Sequence, residues 1–418
     1  EMTVSVPLED PVKVIKLRLR NQTKMTRKLT VTYYAEWVLG VKRQETAPYI
    51  VTEWDSDARI LLARNMYQET FRDATAFIGV YPQKAAADKS EDDRFDVGHP
   101  GWSWTGDRSE FLGRNGSYDR PAALGRMKLS GSTGAFYEPA GAVQAYVELQ
   151  PGEETDVSIV LGCAGSRDAA AQLARKYSGT KECDRALEAV KSFWESVLGQ
   201  IQVATPDPDT DVLLNGWLLY QTLCCRMWAR TAFYQAGGAF GFRDQLQDSL
   251  ALLHTRPDLT RAQIVLHASH QYKEGDVQHW WHEETERGIR TRFSDDLLWL
   301  PYAVGRYIAH TQDESVLEET APFLHSDPLG ENEHERYEET RLSGESGTIY
   351  EHCLRAIDRA LSLYGEHGLP LIGIGDWNDG MSNLGAKGKG ESVWLGWFLG
   401  VILEQFAGIC AKKGDQER

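Results

Sequence analysis

The sequence predicts a multidomain β + α protein made of an antiparallel β-sandwich, a helical linker and an incomplete (α/α)6 barrel. Three observations predict it. Apolar and polar residues alternate with period two in residues 1–166, alanine and charge dominate 167–204, and apolar residues recur at helical spacing between long loops over 205–418.

In the first region Ile15, Leu17 and Leu19 alternate with Lys16, Arg18 and Arg20, and Leu29, Val31 and Tyr33 follow in the same rhythm. The period returns at Val143, Ala145, Val147 and Leu149, then after the turn P-G-E-E at Thr155, Val157, Ile159 and Leu161. This is the pattern of a half-buried antiparallel sheet. Between these strands the glycine-rich pieces H-P-G-W-S-W-T-G-D and F-L-G-R-N-G-S-Y-D-R-P read as long loops carrying Trp102, Trp104 and Tyr118. The stretches A-A-A-Q-L-A-R-K-Y and R-A-L-E-A-V-K-S-F-W form the helical connector, and T-P-D-P-D-T at 205–210 ends it, with Asp209 or Thr210 as helix cap.

Residues 212–228 are apolar almost all round, which predicts a helix buried on most sides. Ser294 is placed to cap the next helix, with Asp295 and Asp296 at its positive end. A T-x-x-E capping box at Thr348 and Glu351 opens a helix with the stripe Tyr350, Leu354, Ile357, Leu361 and Tyr364, ended by Gly365. Ser392 starts a last, very apolar helix. Paired helices with loops at one end suggest an α/α toroid. Only about seven clear helices follow Thr205, against the twelve that six hairpins require, so the barrel is expected to be incomplete.

Composition narrows the function. With 45 Lys+Arg against 61 Asp+Glu the net charge is -16, and no basic patch stands out, which argues against nucleic acid and anionic lipid as partners. Six scattered cysteines show neither a metal spacing nor a disulfide framework, which favours a reducing, cytoplasmic setting. No signal peptide is visible, no apolar run is expected to reach the roughly 18 residues of a membrane span, and the absence of an initiator methionine points to a fragment or a processed product. The 13 Trp, 17 Tyr and 13 Phe, many beside polar residues, suit a sugar cleft, where the apolar face of a pyranose packs on a ring. Core packing explains the larger share of them.

Three stretches hold the chemistry. In G-D-W-N-D-G at 375–380, Trp377 offers a sugar platform and either Asp376 or Asp379 a general acid. Glycosidic cleavage needs such an acid, because the departing sugar oxygen is a poor leaving group until protonated. An Asx-turn in which both aspartates cap backbone is the plainer explanation. In F-G-F-R-D-Q-L-Q-D at 240–248, Arg243 and Asp244 form either a structural ion pair or a division of labour between phosphate oxygens and sugar hydroxyls. In 275–296, Trp280, Trp281, Arg290, Arg292, Asp295 and Asp296 read as a loop walling a sugar cleft, although helix capping alone would account for the two aspartates. His279 and His282 have a spacing compatible with a metal, but no third ligand is implied and no metal is expected.

Taken together, F-G-F-R-D-Q-L-Q-D, V-Q-H-W-W-H with F-S-D-D-L-L-W-L-P, G-D-W-N-D-G-M and F-L-G-R-N-G-S-Y-D-R-P resemble glycoside hydrolase family 94, the inverting glycoside phosphorylases, over nearly the whole chain. The branch most similar is the carboxy-terminal region of cyclic β-1,2-glucan synthases. The resemblance implies a β-sandwich, a helical linker and an (α/α)6 barrel. It also implies that Asp379, the aspartate after W-N, is the general acid, that Trp377 lies at the donor sugar, and that Arg243 contacts phosphate while Asp244 binds sugar. Asp296 and Trp281 join them here as candidate substrate residues. Inorganic phosphate as co-substrate attacks the anomeric carbon of a β-linked glucan opposite Asp379 and releases α-glucose 1-phosphate, with no cofactor and no catalytic base. The implied partners are the rest of a larger synthase chain or a second copy in a homodimer.

Two departures matter. Gly237, Gly238 and Ala239 stand where disaccharide-specific members carry another arginine, and the family's remaining phosphate ligands, a histidine and a threonine, are expected beyond Arg418. Two other functions compete with phosphorolysis. An inverting hydrolase would use Asp295, Asp296 or Glu283 as base, and a glucan-binding scaffold segment would have no turnover at all.

Overall fold

The computed structural model describes residues 1–68, 71–84, 101–135, 137–230 and 238–418. His99, Pro100 and Gly237 of the motifs above lie outside the described residues. The chain divides into two units, Glu1–Trp194 and Glu195–Arg418.

Period-two alternation builds the first unit. Strands β1 (Met2–Ser5), β2 (Val12–Arg20), β3 (Arg27–Glu36), β4 (Ile50–Asp55), β5 (Ile60–Asn65), β6 (Thr75–Pro82), β7 (Trp102–Asp107), β8 (Pro139–Leu149) and β9 (Glu154–Ala164) form two antiparallel sheets, ordered β1-β2-β9-β6-β5-β4 and β3-β8-β7. Ile15, Leu61, Ile78 and Val157 on the larger sheet pack against Val31, Val143, Ala145 and Val147 on the smaller one. The opposite face of the larger sheet, with Val14, Ile60, Leu62 and Phe77, is covered by Ala170, Ala171 and Ala174 of the Arg167–Lys176 helix. The first connector helix is therefore laid on the sheet, and strands buried on both faces, such as β5 and β6, carry near-continuous apolar runs.

One expectation for this unit is corrected. Trp102 and Trp104 sit on strand β7, where W-S-W-T is itself an alternation hidden by flanking glycines. Trp102 is buried and its Nε1 donates to the Val80 carbonyl at 2.7 Å, while Trp104 stacks on Trp54 at 4.0 Å. Tyr118 stays exposed, donating its hydroxyl to Glu36 at 2.7 Å.

In the second unit the Asp296–Thr311 helix is central. It packs against the helices Phe242–Ser249, Pro257–Ala268, Ile349–Leu361 and Val393–Lys413. Leu298, Leu300 and Val304 on it meet Leu246, Ile264, Cys353, Leu399 and Ile402 in one core. A four-stranded sheet of Phe240–Gly241, Gln278–His282, Arg287–Thr291 and Glu335–Glu339 lies alongside in the chain. The stretch expected as a loop around Trp280 and Trp281 is thus a hairpin. The Thr348 and Glu351 capping box forms as expected, and its helix stops at Leu361, ahead of Gly365.

Three further expectations fail. Residues 208–228 are a run of α- and π-helical turns in which Leu223 and Met227 are buried, while Leu213, Leu214, Trp217, Leu218 and Trp228 are exposed. Ser294 does not cap: its hydroxyl donates to the Ile372 and Gly375 carbonyls, at 3.0 and 3.1 Å. Val393–Lys413, with 21 residues and a mean hydropathy of 1.6, is long and apolar enough by those measures to cross a membrane. Leu395, Leu399, Ile402 and Phe406 nonetheless pack into the core, as in a core helix that passes the same test.

Candidate active site

The 375–380 loop is held from three sides. Gly373 has φ +62°, and a Cβ there would meet the Arg292 carbonyl at 2.1 Å, so only glycine fits this entry to the loop. A Cβ on Gly375 would meet the Phe293 ring at 2.5 Å. Asp376 is buried, accepting the Asn378 N–H at 3.0 Å on Oδ1 and the Ser392 hydroxyl at 2.7 Å on Oδ2. Asn378 in turn accepts from the Gly380 N–H at 3.1 Å. Asp376 and Asn378 hold the turn, leaving Trp377 and Asp379 projecting. Their side chains are 53% and 55% exposed.

Arg243 gathers the carboxylates. It sits in the first turn of the Phe242–Ser249 helix, and its guanidinium is buried. Nη2 donates to both oxygens of Asp379 at 2.9 and 3.0 Å. Nη1 donates to Asp295 at 3.2 Å and to the Asp376 carbonyl at 3.3 Å. Nε faces Asp244 at 3.6 Å, and Asp244 is half exposed. Burial pushes the guanidinium down, but Asp295, Asp296 and Asp379 outweigh it and hold Arg243 above the ordinary arginine value.

Asp295 and Asp296 open the central helix without capping it. Asp295, 0% exposed, also accepts from Trp299 Nε1 at 3.0 Å. Burial and then the charge of Asp296 push its carboxyl up to about 7, against the pull of Arg243. Asp296 Oδ2 accepts from His279 Nδ1 at 2.8 Å, while its buried Oδ1 has no hydrogen-bond partner among the described residues. Burial works against a charged His279, but Asp296 prevails and raises the ring above its ordinary value. His279 stands where the strand register shifts between Gln278 and Trp280, a device that re-aims a side chain. No group of three metal-ligating side chains occurs among the described residues.

Beside the loop is a cavity of about 400 Å³ lined by Trp377, Asp376, Met381, Ile372, Ser392 and Trp394. Trp377 Nε1 donates to Gln247 at 3.1 Å. Sequence reasoning missed Trp394 and Gln247. Trp394 follows its helix cap by two positions, the one local sign that its ring could face the loop.

Trp281 requires a correction. It is 1% exposed, stacked on His270 at 3.7 Å and on Phe240 at 5.3 Å, so it is a core ring and no wall of a cleft. Arg290 is likewise structural, bound to Asp276 at 2.7 Å, and Arg292 donates to the Leu329, Gly330 and Glu333 carbonyls. Of the residues singled out, the structure brings together Arg243, Asp244, Asp295, Asp296, Asp376, Trp377 and Asp379.

The chain thus joins a β-sandwich unit to a helical unit that holds an arginine-bridged carboxylate cluster and a tryptophan-lined cavity. Residues 1–180 match the glycosyl hydrolase 94 supersandwich domain and residues 193–418 the catalytic domain of the glycosyl hydrolase 94 superfamily. The chain belongs to this family. It is 42% identical over 409 residues to the cyclic beta-(1,2)-glucan synthase NdvB of Rhizobium meliloti, covering 98% of this chain and 14% of that protein. Solabiose phosphorylase of Paenibacillus borealis is 30% identical, covering 94% of this chain and 45% of that one. N,N'-diacetylchitobiose phosphorylase of Vibrio furnissii is 25% identical, covering 99% and 50%. The chain therefore spans half or less of the length of these relatives.

Proposed function

We infer that this chain is a glycoside phosphorylase domain, the amino-terminal part of an (α/α)6 barrel with its sandwich, cleaving β-1,2-glucan with inorganic phosphate to α-glucose 1-phosphate as part of a cyclic β-1,2-glucan synthase. The observation that carries it is the Asp379–Arg243 pair, whose aspartate lies on the same loop as the cavity-lining Trp377, in a chain 42% identical to a cyclic β-1,2-glucan synthase. Asp379 is the general acid. Of the two aspartates in its loop it is the one with an exposed carboxylate, whereas both oxygens of Asp376 are engaged in holding the turn. Trp377 and Trp394 supply apolar faces for pyranose rings. Asp244 and the unpartnered oxygen of Asp296 are acceptors for sugar hydroxyls, and Arg243 takes phosphate. Phosphate is the nucleophile, and no cofactor is needed. A hydrolytic reading has less support, since Asp295 and Asp296 are buried and held by Arg243 and His279, which leaves the exposed Glu283 as its candidate base.

The test mixes the chain with β-1,2-gluco-oligosaccharides and phosphate and follows α-glucose 1-phosphate by phosphorus NMR. Product is expected from the chain extended past Arg418 to include the remaining phosphate ligands, and Asp379→Asn in it should lower the rate by about 10²- to 10⁴-fold, the usual contribution of a general acid. Sugar release at equal rates with and without phosphate would overturn the reading in favour of hydrolysis.

A further inference from the structure

The hydrogen bonds of Arg243 lead one step further, on the footing of the phosphorylase reading. A guanidinium has five N–H donors. Here Nη2 is spent on the two oxygens of Asp379, Nη1 on Asp295 and the Asp376 carbonyl, and Nε points at Asp244. Three carboxylates thus surround one cation, and no Nη donor is left for phosphate. Nε, 3.6 Å from Asp244, makes no hydrogen bond, so a phosphate that takes an Nη edge must displace Asp295 or Asp379.

Burial decides which one. Asp295 is fully enclosed and also holds Trp299, so moving it would strand a charge in the core. Asp379 is more than half exposed on a short turn, and its carboxylate bonds run to Arg243 alone among the described residues. Leaving Arg243 returns Asp379 to water, which costs it less than displacement would cost the fully enclosed Asp295.

We propose that phosphate takes the Nη2 edge of Arg243 from Asp379, so that binding of the co-substrate releases the acid. Nη2 carries two N–H groups, and as these now serve the two oxygens of Asp379 they can serve oxygens of a phosphate. While both Asp379 oxygens accept from Arg243, the side chain has no proton to give. Once displaced, neither oxygen is tied to the cation, and either can carry the solvent-derived proton that the general-acid role requires. Asp379 then delivers that proton to the departing glycosidic oxygen as the carbon–oxygen bond breaks, while the phosphate held by Arg243 forms the new bond to the anomeric carbon. The acid is ready only when the nucleophile is in place, which protects the glucan from cleavage by water.

The experiment measures binding of inorganic phosphate to the same extended chain by titration calorimetry. Asp379→Asn and Asp379→Ala should each bind phosphate about tenfold more tightly than the wild type, the equivalent of one displaced charged contact. Asp244→Asn removes the same charge without freeing Nη2 and should tighten binding by about twofold at most. Equal tightening in the position-379 and position-244 variants would mean a general charge effect and would overturn the exchange, as would no tightening at 379. Glucose 1-phosphate formation by the wild type, measured in parallel, separates the two claims. If product forms and Asp379→Asn shows no tightening, the exchange fails while the phosphorylase reading stands. If the wild type neither binds phosphate nor forms product, both fall.

Discussion

The two units solve the burial problem differently. In the sandwich, the six-stranded sheet is covered on one side by a second sheet and on the other by the Arg167–Lys176 helix, so strands such as β5, β6 and β8 are buried along most of their length. In the helical unit, the helices from Phe242–Ser249 to Val393–Lys413 contribute to the core, while Leu213, Trp217 and Leu218 at its start and Val393, Trp397 and Val401 near its end stay exposed. A sheet satisfies its backbone through neighbours in the same unit. A helix satisfies its backbone alone and so tolerates an uncovered apolar face. Histidines are distributed just as unevenly, since ten of the eleven lie in the second unit, with the Arg243 cluster.

Acid should separate the units most strongly. Burial drives His270 and His352 down to about 4 and His267 to about 3. Their neutral forms therefore contribute stability that is complete above the unfolded value near 6.5 and is lost as pH falls toward 4, at about 1.4 kcal/mol per pH unit for each. Asp295, pushed up to about 7, offsets part of this as it protonates. In the sandwich, Asp55 and Asp156 are held below the ordinary carboxylate value: burial opposes this for Asp55, but Ala58 and Arg167 prevail, and Arg18 does it for Asp156. Their stability is lost only below about 3.8. Hydrogen exchange read peptide by peptide between pH 7 and 4 should show the helical unit loosening first, and His352→Gln should blunt the effect. Simultaneous loss of protection in both units would contradict the contrast.

Asp295→Ala should follow in size. Leaving Arg243 without its buried partner costs about 3–5 kcal/mol, seen as a lower melting temperature for the helical unit with the sandwich unchanged. A small effect would mean that Asp379 alone satisfies the guanidinium. Thr348→Ala removes one half of a local capping box and should cost about 1 kcal/mol, measurable by urea denaturation. Trp397→Lys, on the uncovered face, should change stability by less than about 0.5 kcal/mol. A larger loss in the same urea experiment would show that this face is covered in solution.

Much of the sandwich was legible because its signal is local: residues two apart share a face, and β2, β3, β8 and β9 show this in their own sequence. The Thr348 box was legible for the same reason. The site was legible only as a set of motifs. Which aspartate of the loop projects depends on Ser392, 16 residues later, and on Arg243, 136 residues earlier. Neither separation leaves a trace in the loop itself. Trp281 and Trp394 exchanged roles for a related reason: W-W in a strand sends one ring to each face, and composition cannot say which face is core. The run at 212–228 was misjudged because apolarity on all sides says that a surface prefers cover, and not that cover is present.

One hydroxyl carries a consequence for mutational screens. Ser392 accepts the Leu395 N–H at 3.0 Å and donates to Asp376 at 2.7 Å, so a single oxygen starts the last helix and pins the loop that carries Asp379. Alanine would lose both bonds, asparagine would be displaced by its longer reach, and only threonine can reproduce both roles. In a saturation screen scored on turnover, position 392 should therefore behave like a catalytic position.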